Sequence, residues 1–308
     1  MSGHLPVMLA EVLEAIGPRD GAHYIDGTFG GGGYAKGLLD AAGCFVLAID
    51  RDPDAVTRGR ELTSRYPGRL TMCQGNFSQL DSLFARTGER QADGVMLDLG
   101  LSSFQVDQAA RGFSFREDGP LDMRMSKTGA SAADFINTAG EDTLAGVLRH
   151  FGEERRARRI ARAIVAARPL VRTSELADVV SRALGPVALR QPIHPATRTF
   201  QALRIHINDE LGELERGLAA AERVLKTGGR LAVVAFHSLE DRIVKRFLAE
   251  RSREPSTSRH APHHRGTHKQ TFRLLWQRPR VPGLDEIARN PRARSARLRA
   301  AERIALAA

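Results

Sequence analysis

Residues 24–34 limit the possible folds most, because they combine a short apolar run with a glycine-rich turn. The run ends in the carboxylate of Asp26, and four consecutive glycines, Gly30 to Gly33, follow it. Glycine lacks a Cβ, so it can adopt positive φ and lets the backbone approach a ligand closely. Leu38 and Leu39 then suit a helix that opens on the turn. The pattern predicts a nucleotide-binding strand, loop and helix, although a turn that only connects a strand to a helix is the alternative.

The charges around this turn distinguish between two ligands. Gly30 to Ala35 also fits the dinucleotide fingerprint, and Asp50 lies where a ribose-binding acid belongs. Asp26, however, would repel a pyrophosphate and attract an ammonium or sulfonium group. S-adenosylmethionine (SAM) carries both cations, together with a ribose for Asp50. The sequence therefore favours SAM over NAD as cofactor, with Asp26 and Asp50 among its contacts; the alternative for Asp50 is a strand-end cap.

Three further strands are predicted at residues 44–50, 70–74 and 94–99. They alternate with helical stretches, which implies right-handed crossovers and a doubly wound, Rossmann-like α/β fold with a parallel sheet. Ligands of such sheets bind outside the carboxyl ends of the strands. Asp26, Asp50, Phe77 and Asp98 follow strand ends, so we expect them to converge on one crevice. There we expect Phe77 to stack on the cofactor's adenine, and the alternative for it is a core aromatic.

The alternation stops after the fourth strand, where helical patterns replace it. Helices are predicted at 141–151, 154–168 and 174–184 and from Pro195 onwards, and Ser131 and Asp134 form a capping-box pattern. The α/β pattern resumes with a helix from about Asp209 and a strand at 230–236. We therefore predict one α/β domain made of residues 1–105 and 206–308, with an inserted helical domain at 106–205 that shapes the substrate site.

Positive charge is concentrated at the C-terminus. The net charge is +10, and the segment from Arg242 onwards holds 17 lysines and arginines against five acids. A basic segment on a near-neutral body indicates a polyanionic partner such as nucleic acid, and the alternative is a solvated tail. The same two interpretations apply to the five arginines between Arg155 and Arg162.

Residues 254–269 form a basic segment rich in Ser, Pro, His and Arg, which predicts a mobile loop. Its four histidines, at positions 260, 263, 264 and 268, lack cysteines or acids at ligand spacing, so we predict no metal. The sequence shows no signal peptide and no apolar span, which predicts a cytoplasmic protein without a membrane partner. It leaves the oligomeric state open, a homodimer included.

Eight stretches resemble one family, the bacterial small-subunit ribosomal RNA cytosine-N4 methyltransferases (RsmH, or MraW). They run in order along nearly the whole chain: Asp26-Gly-Thr-Phe-Gly, Ala48-Ile-Asp-Arg-Asp-Pro, Asp98-Leu-Gly-Leu-Ser-Ser, Arg111-Gly-Phe-Ser-Phe, Gly119-Pro-Leu-Asp-Met-Arg, His194-Pro-Ala-Thr-Arg-Thr-Phe-Gln, Phe236-His-Ser-Leu-Glu-Asp-Arg and Asn290-Pro-Arg-Ala-Arg-Ser. The resemblance implies a SAM-dependent methyltransferase with a helical insertion. Its implied substrate is the exocyclic N4 amine of a cytosine in the decoding region of 16S rRNA in the small ribosomal subunit.

The resemblance also implies cofactor contacts. They fall on Gly32, Gly33, Tyr34, Asp50, Phe77, Asp98 and Gln105. The family usually has His at the position of Tyr34 and Pro at the position of Phe104. Without that proline, the turn before Gln105 is less restrained in this chain. Tyr34 can still offer its backbone N–H to the methionine carboxylate at the helix N-terminus.

Asp98 is also the predicted catalytic residue. Methyltransferases of exocyclic amines commonly have an Asp/Asn-Pro-Pro-aromatic motif after the fourth strand, where this chain has Asp98-Leu-Gly-Leu. We therefore expect Asp98 to orient the cofactor's ammonium group and to accept a proton from the reacting amine.

Predicted RNA contacts are His194 and Arg198 in the insertion, His237 after the last central strand, and Arg292 and Arg294, with Arg297 and Arg299, near the C-terminus. Glu240 and Asp241, which follow His237, are further candidates for contacts with the target base or phosphates. For this segment the alternative is helix capping by Ser238 and Asp241. Two other functions remain open on the sequence: an RNA-binding assembly factor that senses SAM or a nucleotide without catalysis, and an NAD-dependent oxidoreductase.

Overall fold

The computed structural model describes residues 6–186, 190, 193–253 and 270–305. The chain forms two compact units, one of residues 1–100 and 211–308 and one of residues 101–210. The sequence predicts the two domain boundaries at 105/106 and 205/206, five residues from each of these positions. The predicted basic loop at 254–269, with its four histidines, lies outside the described residues.

The first unit is built on a seven-stranded sheet. Its strands are β1 (His23–Asp26), β2 (Phe45–Asp50), β3 (Leu70–Gln74), β4 (Ala92–Asp98), β5 (Leu225–Ala235), β6 (Phe272–Leu274) and β7 (Arg297–Arg303). The strand order is β3-β2-β1-β4-β5-β7-β6. Strands β1 to β5 pair in parallel, whereas β7 pairs antiparallel with both β5 and β6. The predicted α/β class and parallel core are confirmed, and an antiparallel edge is added to them.

Helices connect the strands and make up the second unit. In chain order they are α1 (Leu9–Ile16), α2 (Gly33–Ala41), α3 (Pro53–Thr63), α4 (Leu80–Ala85), α5 (Ser103–Asp107), α6 (Ala132–Thr138), α7 (Glu141–Gly152), α8 (Ala157–Ala166), α9 (Thr173–Leu184), α10 (Thr197–Asn208), α11 (Glu210–Val224), α12 (Ser238–Ser252) and α13 (Leu284–Arg289). Short 3-10 helices occupy Phe77–Gln79, Ala109–Arg111 and Pro291–Ser295.

The sheet of the first unit is buried on both faces. Alternate residues of one strand join different clusters: Tyr24 packs with residues of α1 and α2, and its neighbour Ile25 packs with residues of α4, α11 and α12. This alternation follows from the two-residue period of a strand. It explains why most residues of the central strands are apolar, since neither face of the sheet is exposed to solvent.

The second unit is helical, and none of its described residues forms a strand. Its core contains Leu121, Ile136, Leu148, Ile160 and Leu203, which come from four of its helices and one loop. Helix α6 begins as predicted, because the Ser131 and Asp134 side chains each bond the other's backbone N–H. The five arginines between residues 155 and 162 are exposed.

No helix in the described part of the chain is both long enough and apolar enough to span a lipid bilayer.

Candidate active site

Three acids lie at the carboxyl ends of three neighbouring strands in the first unit. In the sheet register Asp26 pairs with Ala48 of β2 and with Met96 of β4. Asp50 and Asp98 come two residues after those partners, so all three acids sit at the same edge of the sheet. This edge lies where the strand order turns back at β1, the place at which open α/β sheets bind their ligands.

The carboxylate of Asp26 is hydrogen-bonded to the backbone on both sides of the four glycines. Its carboxylate accepts hydrogen bonds from the backbone N–H of Thr28 and of Ala35, both at 3.2 Å. The side chain is 1% exposed, and burial raises the pKa of Asp26 to about 7. The predicted attraction of this carboxylate for a cationic cofactor stays a prediction.

The pKa of Asp26 predicts a pH-dependent stability. Because burial penalises the charged form, the folded protein holds this proton more tightly than the unfolded chain, whose Asp has an ordinary pKa of 3.8. The free energy of unfolding should therefore fall as pH rises from about 4 to about 7, and the part due to Asp26 is about 2 kcal/mol between about pH 5 and pH 7. Urea unfolding at both pH values measures it. The loss should be smaller by that amount in Asp26→Asn, and an equal loss in both proteins would contradict the assignment.

Asp50 fastens the other side of the turn. Its carboxylate accepts hydrogen bonds from the Gly30 N–H at 2.7 Å and the Asp52 N–H at 2.8 Å. Burial raises the pKa of Asp50 to about 6. A carboxylate oxygen has two lone pairs, so both oxygens of Asp50 keep the capacity to accept a bond from a ligand hydroxyl.

Gly32 and Gly33 lie too close to neighbouring side chains to carry a Cβ of their own. Gly32 has φ of +77°, and a Cβ there would lie 2.7 Å from Cζ of Phe29. A Cβ on Gly33 would lie 2.5 Å from Cβ of Pro6. Tyr34 turns its side chain into the core, where its hydroxyl donates to the Val7 carbonyl at 2.5 Å. What Tyr34 can offer an anion is therefore its backbone N–H in the first turn of α2, the group that the sequence analysis assigned to that role.

Asp98 has a buried carboxylate oxygen without a donor. Its backbone N–H donates to Oγ1 of Thr28 at 2.6 Å, but its Oδ1 has no hydrogen-bond partner among the described residues. Burial, followed by the nearby carboxylates of Asp26 and Glu240, raises the pKa of Asp98 well above its ordinary value. A buried acceptor without a donor is costly, and a cationic hydrogen-bond donor would relieve this cost. The site thus fits a ligand with an ammonium group.

Helix α12 begins beside Asp98, and its cap differs from the predicted one. The N-cap is His237, whose Nδ1 accepts from the Glu240 N–H at 3.4 Å, and the Glu240 carboxylate accepts from the His237 N–H at 3.2 Å. The predicted cap by Ser238 and Asp241 is wrong by one residue, because His237 has extended backbone angles and the helix already includes Ser238. Asp241 instead accepts two bonds from Arg299, at 2.7 and 3.1 Å.

Phe77 lies against two glycines near the end of β3. A Cβ on Gly217 of α11 would lie 2.4 Å from Cδ2 of Phe77, and one on Gly27 would lie 3.2 Å from Cβ of Phe77. One side of the ring is therefore fixed against α11. Its predicted stacking on an adenine stays a prediction, and any such stacking must use the remaining surface of the ring.

The contact with Gly217 gives a test of Phe77. Gly217→Ala should displace the Phe77 ring and weaken SAM binding by roughly tenfold, although alanine in a helix is ordinarily more stable than glycine by about 1 kcal/mol. Gly146→Ala is the matched control, since a Cβ at this helical position meets nothing within 4 Å. Calorimetric titration with SAM and thermal unfolding check both variants. Equal SAM affinity in the two would show that Phe77 does not contribute to the cofactor site.

Three other predicted residues belong to the second unit. Gln105 is buried, and its Oε1 accepts from the Ser102 N–H at 3.1 Å in the capping box of α5. His194 is exposed and its ring centroid lies 4.7 Å from that of Phe115. Arg198 is exposed on α10. Their predicted contacts with cofactor or RNA stay predictions.

The C-terminal arginines divide into two groups. Arg292 and Arg294, on the 3-10 helix, and Arg297 are exposed. Arg299 has a side chain that is only 14% exposed and is paired with Asp241. The pairing with Asp241 neutralises part of the charge of Arg299, and its predicted contact with phosphates stays a prediction.

Thr28 belongs to the site but was not singled out from the sequence, and Glu240 was singled out for a different role. Thr28 links the turn to Asp98, and its presence in the Asp-Gly-Thr motif was the only available indication. Glu240 is 2% exposed and lowers the tendency of Asp98 to ionise. The sequence predicted Glu240 as an RNA contact, and its effect on Asp98 depends on a buried position that a charged residue at a helix start does not reveal.

Comparison with known proteins places the whole chain among methylases. The sequence model of the MraW methylase family matches residues 1–304. A relative named Ribosomal RNA small subunit methyltransferase H, from Xanthobacter autotrophicus, is 57% identical over 97% of this chain and 87% of its own length. Its counterpart in Rhizorhabdus wittichii is 57% identical over 99% of this chain and 94% of its own length. Among solved structures, an rRNA methylase from Streptococcus thermophilus has a TM-score of 0.43 at 10% identity, covering 96% of this chain and 94% of that one.

Proposed function

The chain belongs to the MraW methylase family, and we propose that it transfers a methyl group from SAM to the rRNA of the small ribosomal subunit. In its finer form, the proposal is that the acceptor is the exocyclic N4 amine of a cytosine in the decoding region of 16S rRNA. The reaction takes place in the cytoplasm. The observation that supports it most directly is the buried Oδ1 of Asp98, which has no donor among the described residues and lies at the ligand-binding edge of the sheet.

The residues at this edge suit SAM. SAM supplies an electrophilic methyl group on a sulfonium centre. Gly33 and Tyr34, in the first turn of α2, offer backbone N–H groups to its carboxylate, and Asp98 provides an acceptor for its ammonium group. Gly32 is the N-cap of this helix, and its own N–H donates to the Phe29 carbonyl at 2.6 Å. Asp50 is available to the ribose hydroxyls and Phe77 to the adenine; Asp26 and Gln105 complete the proposed set. The positive charge of the bound cofactor favours the ionised forms of these carboxylates, which burial alone disfavours.

A cytosine amine is a weak nucleophile, because its lone pair is delocalised into the ring. The protein must therefore align the amine nitrogen and accept its proton as the nitrogen becomes cationic. Asp98 is the proposed acceptor: its raised pKa makes the ionised carboxylate a stronger base than an exposed aspartate. The target base must leave its stack to react. Proposed contacts to the RNA are His194, Arg198, His237, Arg292 and Arg294.

The test is methyl transfer from labelled SAM to small ribosomal subunits from cells that lack this protein, followed by nucleoside analysis of the digested rRNA. The expected product is N4-methylcytidine. Label in another nucleoside would support methyltransferase activity but refute cytosine N4 as the target. SAM binding without any transfer would instead favour a non-catalytic assembly factor.

A further inference from the structure

A second concave site lies in the first unit, between α12 and the antiparallel strands β6 and β7. It is a cavity of about 470 Å³. Four cationic side chains line it, those of Lys245, Arg253, Arg273 and Arg299, together with the indole of Trp276. No carboxylate is among its described lining residues. Its volume lies within the range of small-molecule sites, and its lining excludes a cationic ligand.

The four cations of this cavity are of two kinds. Arg299, 14% exposed, pairs with Asp241 at 2.7 Å, and Arg273, 66% exposed, pairs with Glu302 at 2.7 Å, so an acid partly neutralises the charge of each. Lys245 and Arg253 are exposed, and neither forms an ion pair within the described part of the chain. Acidic side chains therefore leave two charges unneutralised, and these are the groups available to an anion.

Trp276 adds a flat aromatic surface to these charges. The guanidinium carbon of Arg280 lies 4.0 Å from the centroid of the indole, and Arg280 is itself held by Glu14 at 2.8 Å. The indole is half-buried and packs against the hydrophobic core of the unit. One face of the ring is thus covered by Arg280, which restrains the indole in a fixed orientation at the cavity wall.

Cations beside a fixed aromatic ring are the features with which proteins bind single-stranded nucleic acid. We propose that this cavity binds one nucleotide of single-stranded RNA, with its phosphate at Lys245 and Arg253 and its base against Trp276. The choice of RNA rests on the proposed function, since the substrate would supply the strand. The cavity is formed entirely by elements after residue 244 and shares no residue with the proposed cofactor site.

The chain has a single tryptophan, so its fluorescence reports on this cavity alone. The full-length protein is titrated with a single-stranded oligoribonucleotide, and the change in Trp276 emission gives the dissociation constant. Lys245→Ala with Arg253→Ala should raise this constant at least tenfold and lower the slope of log K against log salt by about 0.7, the value for one lost phosphate contact. Both residues are exposed, so the double variant should fold, which circular dichroism checks. Arg86→Ala with Arg90→Ala, two exposed charges of the same unit outside the cavity, should change neither value.

Three outcomes would overturn the proposal: no change in emission with RNA, equal affinity in the two double variants, or adenosine monophosphate binding as tightly as the oligomer, which would indicate a site for free nucleotides. Methyl transfer to the small subunit is measured in parallel on the same preparations. If RNA binding depends on Lys245 and Arg253 but the wild-type protein transfers no methyl group, the cavity assignment stands and the proposed function fails. If the wild-type protein transfers the methyl group and the double variant binds RNA normally, the proposed function stands and the cavity assignment fails.

Discussion

Replacing Asp98 by asparagine should lower the rate of methyl transfer by about 10²- to 10⁴-fold, the range found for a lost general base. The same change should raise the midpoint of thermal unfolding. Asp98 has a buried oxygen without a donor among the described residues, next to the carboxylates of Asp26 and Glu240, so its charge opposes folding. An amide of the same shape removes that charge. Opposite effects on rate and on stability are expected of a residue retained for function and not for the fold.

Asp93 provides the matched control for Asp98, because it lies in β4 as well but at the other end of the strand. Its carboxylate is 8% exposed and is paired with Arg19 at 3.0 Å and with Lys226 at 2.5 Å. Asp93→Asn should therefore lower the unfolding midpoint and leave turnover per folded molecule unchanged. Turnover, SAM affinity and thermal unfolding are measured for both variants. If Asp98→Asn keeps its turnover and its SAM affinity, Asp98 has neither of its proposed roles.

The parallel core could be predicted because its determinants are local. Strands β1, β2 and β4 are buried on both faces, so in each of them an apolar run comes directly before the terminal acid. The convergence of Asp26, Asp50 and Asp98 then follows from the parallel direction of the strands. Helix starts with an ordinary cap were also predictable, as with Ser131 and Asp134 at α6.

Features that depend on distant contacts could not be predicted. The arginine-rich segment that forms β7 alternates polar and apolar residues only over its first four positions, which fits a strand or a helix, and its pairing with β5 is non-local. The use of Arg299 depends on where α12 places Asp241. Likewise, the position of the Phe77 ring is set by a glycine on α11, and a sequence pattern around Phe77 contains no information about that helix.

The prediction of the α12 cap was wrong for a different reason. Ser238 and Asp241 match the common signature, whereas His237 and Glu240 match it only if a histidine ring nitrogen acts as the acceptor. The buried position of Glu240 decides between the two pairs. A buried carboxylate needs hydrogen-bond donors, and Glu240 accepts from the backbone N–H groups of Phe236 and His237. Burial of this kind is a property of the folded unit, not of the local sequence.

Gly32→Ala should produce the second large effect, a loss of SAM affinity of at least thirtyfold together with about 2 to 4 kcal/mol of stability. The left-handed backbone costs an alanine roughly 1–2 kcal/mol, and the remainder comes from overpacking. The added methyl group would lie 2.7 Å from Cζ of Phe29. This ring is 3% exposed, and its Cε1 already lies 3.2 Å from the position of a Cβ on Gly59, so it has little room to move. The turn must shift instead, and with it the N-terminus of α2.

Gly68→Ala separates the two causes of this loss. Gly68 has φ of +72°, close to the +77° of Gly32, but a Cβ there meets nothing within 4 Å. It should therefore show only the backbone cost of roughly 1–2 kcal/mol and bind SAM normally. Urea unfolding and calorimetric titration with SAM are performed on both variants. If Gly32→Ala binds SAM as tightly as Gly68→Ala does, the space beside Phe29 is not what positions the turn, and the assignment of this glycine to the cofactor site fails.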